Sequence, residues 1–235
     1  MSKSILVVGG SSGIGLALVE SLQAEGHQVF SASRHQSEIL TQKGVSQITL
    51  DVKGEVHTAL TSLPDTLHGL AYCPGSINLK PFQRLSPEEF QEDFEINVLG
   101  AVKVLQATMK PLKKAQGASV VLFSTVAARL GMNFHASIAV AKSGVEGLAK
   151  TLAAEWAPYH IRVNTVAPSL TDTPLAAKLL STPERREASD KRHPIGRVGT
   201  PEDVAALAHF LLVGASSWLT GQVLGIDGGM GGLKP

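Results

Sequence analysis

The chain has 235 residues, of which 43% are hydrophobic, 17% charged and 5% aromatic. A chain of that length buries roughly 70–75% of its unfolded surface, so it needs neither disulfides nor a metal to build a core. A single cysteine, Cys73, excludes a disulfide framework and a multi-cysteine metal cluster, and the eight histidines show no metal-ligand spacing. Twenty-one Lys and Arg against 20 Asp and Glu leave a formal net charge of +1, with no footprint for nucleic acid or a membrane surface. No stretch approaches the roughly 18 apolar residues of a membrane span, and Met1-Ser2-Lys3-Ser4 leads into an apolar strand without a cleavable signal pattern. The expectation is a compact cytoplasmic protein that acts on a small molecule.

Short apolar runs alternate with helical patterns along the whole chain. Ile5-Leu6-Val7-Val8 reads as a buried strand, followed by a helical face of Ile14, Leu18 and Leu22 that Gly26 is placed to end. Val29-Phe30, Ile48-Thr49-Leu50 and Leu67 to Cys73 predict the next three strands. Ser86-Pro87-Glu88-Glu89 supplies an N-cap, a proline at the first helical position and an acid three residues on. Phe90, Phe94, Val98, Val102 and Leu105 then form the stripe of one long helix. Val120 to Phe123 is a strand, Ser137 to Trp156 a helix and Ile161 to Val166 a strand. Residues Leu175 to Val198 are polar and irregular, as a mobile lid would be. Thr200-Pro201-Glu202-Asp203 repeats the capping signature before a helix over Val204 to Val213, and Gln222 to Ile226 is the last strand. Strands apolar on both faces, alternating with helices, predict a doubly wound α/β fold with a parallel sheet between helix layers. No linker divides residues 1–235, so one domain is expected.

Gly9-Gly10-Ser11-Ser12-Gly13-Ile14-Gly15 lies between the first strand and the first helix. Glycines there permit a tight turn and let backbone N–H groups approach a pyrophosphate at the positive end of the helix. A plain structural turn is the alternative; the strand–turn–helix context favours the nucleotide. The second strand ends at Ser33-Arg34, where an acid would bind the ribose 2′-OH of NAD. Ser33 repels no phosphate and Arg34 pairs with one, which favours NADP over NAD. Asp51, just past the third strand, falls at the same edge of the sheet.

These segments and several downstream resemble the short-chain dehydrogenase/reductase family over nearly the whole chain. Val8 to Gly15 is similar to its T-G-x-x-x-G-x-G with Val8 in place of Thr, and Asp51-Val52 to its adenine-contacting pair. Asn97 matches the helix asparagine. Asn164 to Ser169 matches N-x-V-x-P-G with Ser169 in place of Gly, and Thr173 the threonine beside the nicotinamide carboxamide. Gly196 to Val204 and Thr220 to Gly229 resemble 3-oxoacyl-carrier-protein reductase relatives. The resemblance implies a seven-stranded Rossmann sheet and a homotetramer packed through the helices that begin near Ser86 and Ser137 and through the last helix and strand. The apolar, glycine-rich tail over residues 228–233 is expected to dock on a neighbouring subunit. The resemblance also implies cofactor contacts from Gly9, Ser11, Ser12, Gly13, Ile14, Gly15, Ser33, Arg34, Asp51, Val52, Cys73, Pro74, Gly75, Lys142, Pro168, Thr171 and Thr173.

Three departures bear on chemistry. The family's N-N-A-G reads Tyr72-Cys73-Pro74-Gly75. Its serine falls on Thr125, beside Ser124. Its Y-x-x-x-K reads Ile138-Ala139-Val140-Ala141-Lys142, so the tyrosine is an isoleucine. Residues four apart share a helix face, so in the family the lysine lowers the phenol's pKa and the phenol moves the proton. Lys142 still offers a cation for the ribose, but Ile138 carries no proton, and loss of a positioned acid typically forfeits about 10²–10⁴ in rate. His135, Thr125, Tyr72, or a water held by Lys142, Thr125 and Asn97 are the candidate replacements, with Asn97, Thr125 and Lys142 as the catalytic set and no metal. Packing is the favoured role for Tyr72, a backbone bond for His135 and an inert buried thiol for Cys73. The leading expectation is an NADP-dependent oxidoreductase of a small carbonyl or alcohol with an atypical proton-transfer site. The alternatives are an NADP-binding sensor, scaffold or partner subunit, and a non-redox isomerase or dehydratase.

Overall fold

The structure, a computed structural model, describes residues 2–233; Met1, Lys234 and Pro235, at the ends of the expected 1–235 span, lie outside the described residues. In chain order the elements are β1 (Ser4–Val8), α1 (Gly13–Ala24), β2 (Gln28–Ser33), α2 (Glu38–Gln42), β3 (Ser46–Thr49), α3 (Val56–Ala59), β4 (Gly69–Tyr72) and α4 (Pro87–Phe94). A π-turn over Glu95–Leu99 joins α4 to α5 (Gly100–Lys114), and then come β5 (Ser119–Phe123), α6 (Ala136–Trp156), β6 (Arg162–Pro168), α7 (Pro183–Asp190), α8 (Pro201–Val213) and β7 (Val223–Ile226). All seven strands pair in parallel in the order β3-β2-β1-β4-β5-β6-β7. This is the doubly wound Rossmann-like sheet that the alternation predicts.

Successive side chains of a strand point to opposite faces, and each face here meets its own helix layer. Leu6 and Val8 of β1 join a core with Leu70, Val104, Leu105 and Val145, which brings in α5 and α6. Ile5 and Val7 join Leu18, Leu22, Ala208 and Leu211, which brings in α1 and α8. Because β1 is covered on both sides, it contains no polar alternation. Strand order reverses between β1 and β4, and open α/β sheets bind ligands in the crevice at that point. Val8 is level with Ala32 of β2 and Tyr72 of β4, so the loops after these three strands leave the sheet side by side.

The sequence signals for helix ends hold. Both expected capping boxes form, Ser86 with Glu89 and Thr200 with Asp203. Gly26, just beyond α1, has φ +77°, a left-handed conformation that glycine adopts without steric cost.

Two expectations need correction. The long helix after Ser86 is interrupted: the π-turn inserts an extra residue, and the buried stripe moves off the 3.6-residue pattern that began at Phe90. Phe94 is 40% exposed and Val102 half-buried; Val98 and Leu105 of the expected stripe are buried, and beyond the turn Ala101, Val104, Thr108 and Leu112 are buried with them. The segment expected as an irregular lid is instead helical: a 3-10 stretch over Pro174–Leu180 and then α7, whose first turns are capped by the Thr173 and Thr182 side chains. The glycine-rich tail also makes contacts within its own chain. Asp227 accepts the N–H groups of Gly229 and Gly231, and Gly229 lies against Pro194.

Candidate active site

Two hollows open at the switch point. The first, about 510 Å³, runs along the β1, β2 and β4 loops. Among its walls are Gly9, Ser11, Ser12, Gly13, Ile14, Gly15, Ser33, Arg34, Asp51, Val52, Cys73, Pro74, Gly75 and Thr173, so these expected cofactor contacts share one groove. Gly9, at φ +79°, brings the turn against the Pro74 backbone, where a side chain would have about 3.1 Å to the Pro74 nitrogen. A Cβ on Gly15 would run into the Gly9 carbonyl. At Gly9 and Gly15 the loop has no room for a side chain.

The first backbone bond of α1 runs from Leu16 N–H to the Ser12 carbonyl, which leaves the Gly13, Ile14 and Gly15 amides without partners inside the helix. The Ser12 side chain does not cap them, and no acid stands in the first turn. Such an end is suited to an anion. At the far end of the groove, the Ser33 hydroxyl is buried and unpartnered while Arg34 is exposed. A dinucleotide therefore fits this groove on the glycine cradle and on its open helix end.

The second hollow, about 300 Å³, continues past Cys73 and Gly75, which line both. It contains Thr125, Ile138, Lys142, Pro168, Thr171 and Thr173 of the expected set, under the lid residues Leu175, Ala176, Leu179 and Arg192. Ile138 and Lys142 lie one turn apart on α6 and both open to it. The Lys142 ammonium is buried and donates to the Phe123 carbonyl at 2.8 Å, and burial pushes its pKa down to about 8. Thr125 accepts the Ala127 N–H at 3.3 Å, which leaves its hydroxyl proton free to point at a substrate oxygen.

Asn97 lines neither hollow and sits behind Gly75, close to the Lys142 ammonium. The π-turn holds it behind Gly75, donating to the Asp93 carbonyl at 2.7 Å and to Ser76 Oγ at 3.0 Å, with its own oxygen buried and unpartnered.

The candidate replacements for tyrosine sort clearly. Tyr72 packs inside the sheet layer, its hydroxyl donating to the Ile96 carbonyl at 2.5 Å, and burial holds its phenol well above the usual range. Gly100 lies opposite that hydroxyl, where a side chain would collide with it. His135 lines the second hollow, and its Nδ1 bonds the Asn133 carbonyl oxygen at 2.6 Å. Burial pushes the Cys73 thiol up to about 12, so it stays protonated and inert.

Sequence reasoning missed two polar pairs near the hollow, each joining a half-buried serine that lines it to a buried partner. Ser76 Oγ donates to the Asp93 carboxylate at 2.5 Å, and Ser169 Oγ lies 2.8 Å from His193 Nε2. Ser169 had a signal, as the departure from N-x-V-x-P-G. His193 had none, being 24 residues away inside what reads as a polar lid.

The parallel sheet, the glycine cradle at its switch point and the adjoining apolar hollow define a nucleotide-binding α/β oxidoreductase fold. A family model described as Enoyl-(Acyl carrier protein) reductase matches residues 8–231. A tropinone reductase homolog of Arabidopsis thaliana, At5g06060, is 35% identical over 242 residues, covering 97% of this chain and 91% of its own length. The 3-oxoacyl-acyl-carrier-protein reductase MabA of Mycobacterium tuberculosis is 30% identical over 237 residues, covering 98% and 94%. Among solved structures, ElxO with NADP bound superposes with a TM-score of 0.88 at 25% identity, covering 98% of this chain and 99% of ElxO. The chain belongs to the short-chain dehydrogenase/reductase family, oxidoreductases that use a nicotinamide cofactor.

Proposed function

We propose that this chain is an NADP-dependent reductase of small carbonyl compounds, acting reversibly on the matching alcohols, with a proton-transfer site rebuilt around Ile138. The observation that carries the reading is the continuity of the two hollows at Cys73 and Gly75, one shaped for a dinucleotide and the other apolar with a few polar groups. Gly9 to Gly15 would hold the pyrophosphate, Asp51 and Val52 the adenine, and Lys142 the nicotinamide ribose. Pro168, Thr171 and Thr173 would border the nicotinamide, which supplies hydride when bound. Thr125 would donate a hydrogen bond to the substrate oxygen, and Asn97 would act through a water between itself and Lys142.

NADP preference is read from Arg34, exposed in the groove with no acid beside it. A charge-assisted bond is worth roughly 1.5–3 kcal/mol, so NADPH should bind at least about tenfold more tightly than NADH. Fluorescence titration checks this, and Arg34→Ala should erase the difference; equal affinity of the wild type for both cofactors would remove NADP from the proposal.

The isoleucine at 138 favours a second reading, an NADP-binding protein without turnover, and NADPH oxidation against a panel of ketones separates the two. For assembly we propose a homotetramer. Trp218, 98% exposed between α8 and β7, and Phe210, 39% exposed on α8, are large apolar side chains that a neighbouring copy would cover. Light scattering at micromolar concentration should give four times the chain mass, and a monomer would exclude it.

A further inference from the structure

Beyond the hollow that Ile138 lines lie a serine and a histidine that the family motif does not contain. Ser169 lies at the end of β6 and lines both the apolar hollow and a smaller cavity of about 160 Å³ behind it. His193, 3% exposed, faces that smaller cavity. Its Nδ1 is 2.8 Å from the Ser189 carbonyl oxygen and its Nε2 is 2.8 Å from Ser169 Oγ. A carbonyl only accepts, so Nδ1 keeps its hydrogen and Nε2 is the nitrogen that exchanges a proton. Ser169 Oγ also lies 3.0 Å from Met230 Sδ, a weak acceptor on the wall of the apolar hollow.

This arrangement has two states. With Nε2 unprotonated, the Ser169 hydroxyl donates to the imidazole. With Nε2 protonated, the imidazolium donates to Ser169 Oγ, and the serine proton turns away, toward Met230 and the hollow. A hydroxyl backed by a base that a third group orients is the geometry of an activated proton-transfer pair.

We propose that Ser169 is the catalytic hydroxyl that exchanges a proton with the substrate oxygen, and that His193 is the positioning residue that supplies and removes that proton; this rests on the reductase reading above. In the reducing direction the carbonyl carbon accepts a hydride with its electron pair, and the C=O π pair moves onto oxygen. The Ser169 O–H bond breaks as its proton forms the alcohol O–H. His193 Nε2–H replaces the serine proton, leaving a neutral imidazole that takes a proton from water through the smaller cavity. The sum is carbonyl, reduced cofactor and one proton giving alcohol and oxidised cofactor. Charged groups near the imidazole are Asp190 and Arg192 on its own turn, Arg197 and Asp203 across the smaller cavity, and Asp227 after β7. Arg197 and Asp203 pair with each other, Asp190 accepts the Val198 N–H and Asp227 caps the tail, so none bonds the ring.

The test compares wild type, Ser169→Ala, Ser169→Thr and His193→Gln. NADPH affinity is read by fluorescence, single-turnover ketone reduction is followed against pH, and the ligand-free wild type is studied by ¹⁵N-histidine NMR. Ser169→Ala and His193→Gln should each lose roughly 10²-fold in turnover with NADPH affinity within about twofold, and Ser169→Thr should recover at least tenfold over Ser169→Ala. NMR should show a hydrogen on His193 Nδ1. Near wild-type turnover in Ser169→Ala or His193→Gln overturns the pair while leaving the reductase intact, as does an Nε2–H tautomer. That NMR result decides even if a variant fails to fold. A wild type that binds NADPH yet reduces no ketone overturns the reductase reading itself, and the pair with it.

Discussion

Replacing Ile138 by tyrosine should raise the reduction of small ketones by roughly 10²-fold, because it adds a phenol on the helix face that already carries Lys142. Ile138 is 5% exposed, and what it does expose opens to the 300 Å³ hollow rather than to bulk water. A ring there would have the ammonium one turn away. A positive neighbour favours the phenolate and lowers the phenol's pKa, bringing it within range to give and take a proton. The gain should be confined to small ketones, since the ring occupies space that a larger substrate would need. Steady-state NADPH oxidation with acetone-sized and aryl ketones, on wild type and Ile138→Tyr, gives the comparison. No gain with any small ketone would mean that the phenol cannot reach the reacting oxygen from this helix.

Exchanging Lys142 for methionine should stabilise the protein while weakening cofactor binding. Burial lowers the ammonium's pKa from 10.5 to about 8, an unfavourable contribution on the order of 3 kcal/mol to the folded state at neutral pH. Losing the bond to the Phe123 carbonyl takes back about 1 kcal/mol, so the net gain at pH 7 is about 2 kcal/mol. For a chain of this size that is about 4–8 °C in Tm. The sign follows from proton binding: below pH 8 both states hold the lysine proton, and the folded state bears the whole penalty. Between 8 and 10.5 only the unfolded chain holds it, so wild-type stability rises with pH and the variant's advantage fades. Thermal melts at pH 7 and pH 10 measure this directly. A variant less stable than wild type at pH 7 would show that the buried charge is compensated by more than the Phe123 carbonyl.

The elements legible from sequence were those with one strong physical cause. Ile5 to Val8 is apolar at every position because both its faces are covered, and the two capping boxes are local chemistry that needs no tertiary context. The glycine cradle was legible for the same reason, since Gly9 and Gly15 answer to contacts within the turn and with the adjacent strand end. What stayed hidden depended on distant partners. The π-turn leaves no mark on composition, and it carries Asn97 behind Gly75 instead of into the hollow. The polar stretch from Leu175 to Val198 reads as a loop because its helices are short and mostly exposed. Its one buried imidazole, His193, is fixed by a carbonyl four residues back and by a serine just past β6 that no periodicity connects to it.

The π-turn also fixes an angle. One residue of helix corresponds to about 100° of rotation, so the extra residue at Glu95–Leu99 sets the azimuth of α4 relative to α5. Deleting one residue there would leave a regular, hydrogen-bonded helix whose first half is turned by that amount. Asp93 would swing away from Ser76 and the exposed Phe94 would take a new heading, although no side chain of the hollow itself had changed. The wall behind Gly75 is therefore specified by chain length as much as by residue type, and this stretch should accept substitutions far more readily than insertions or deletions.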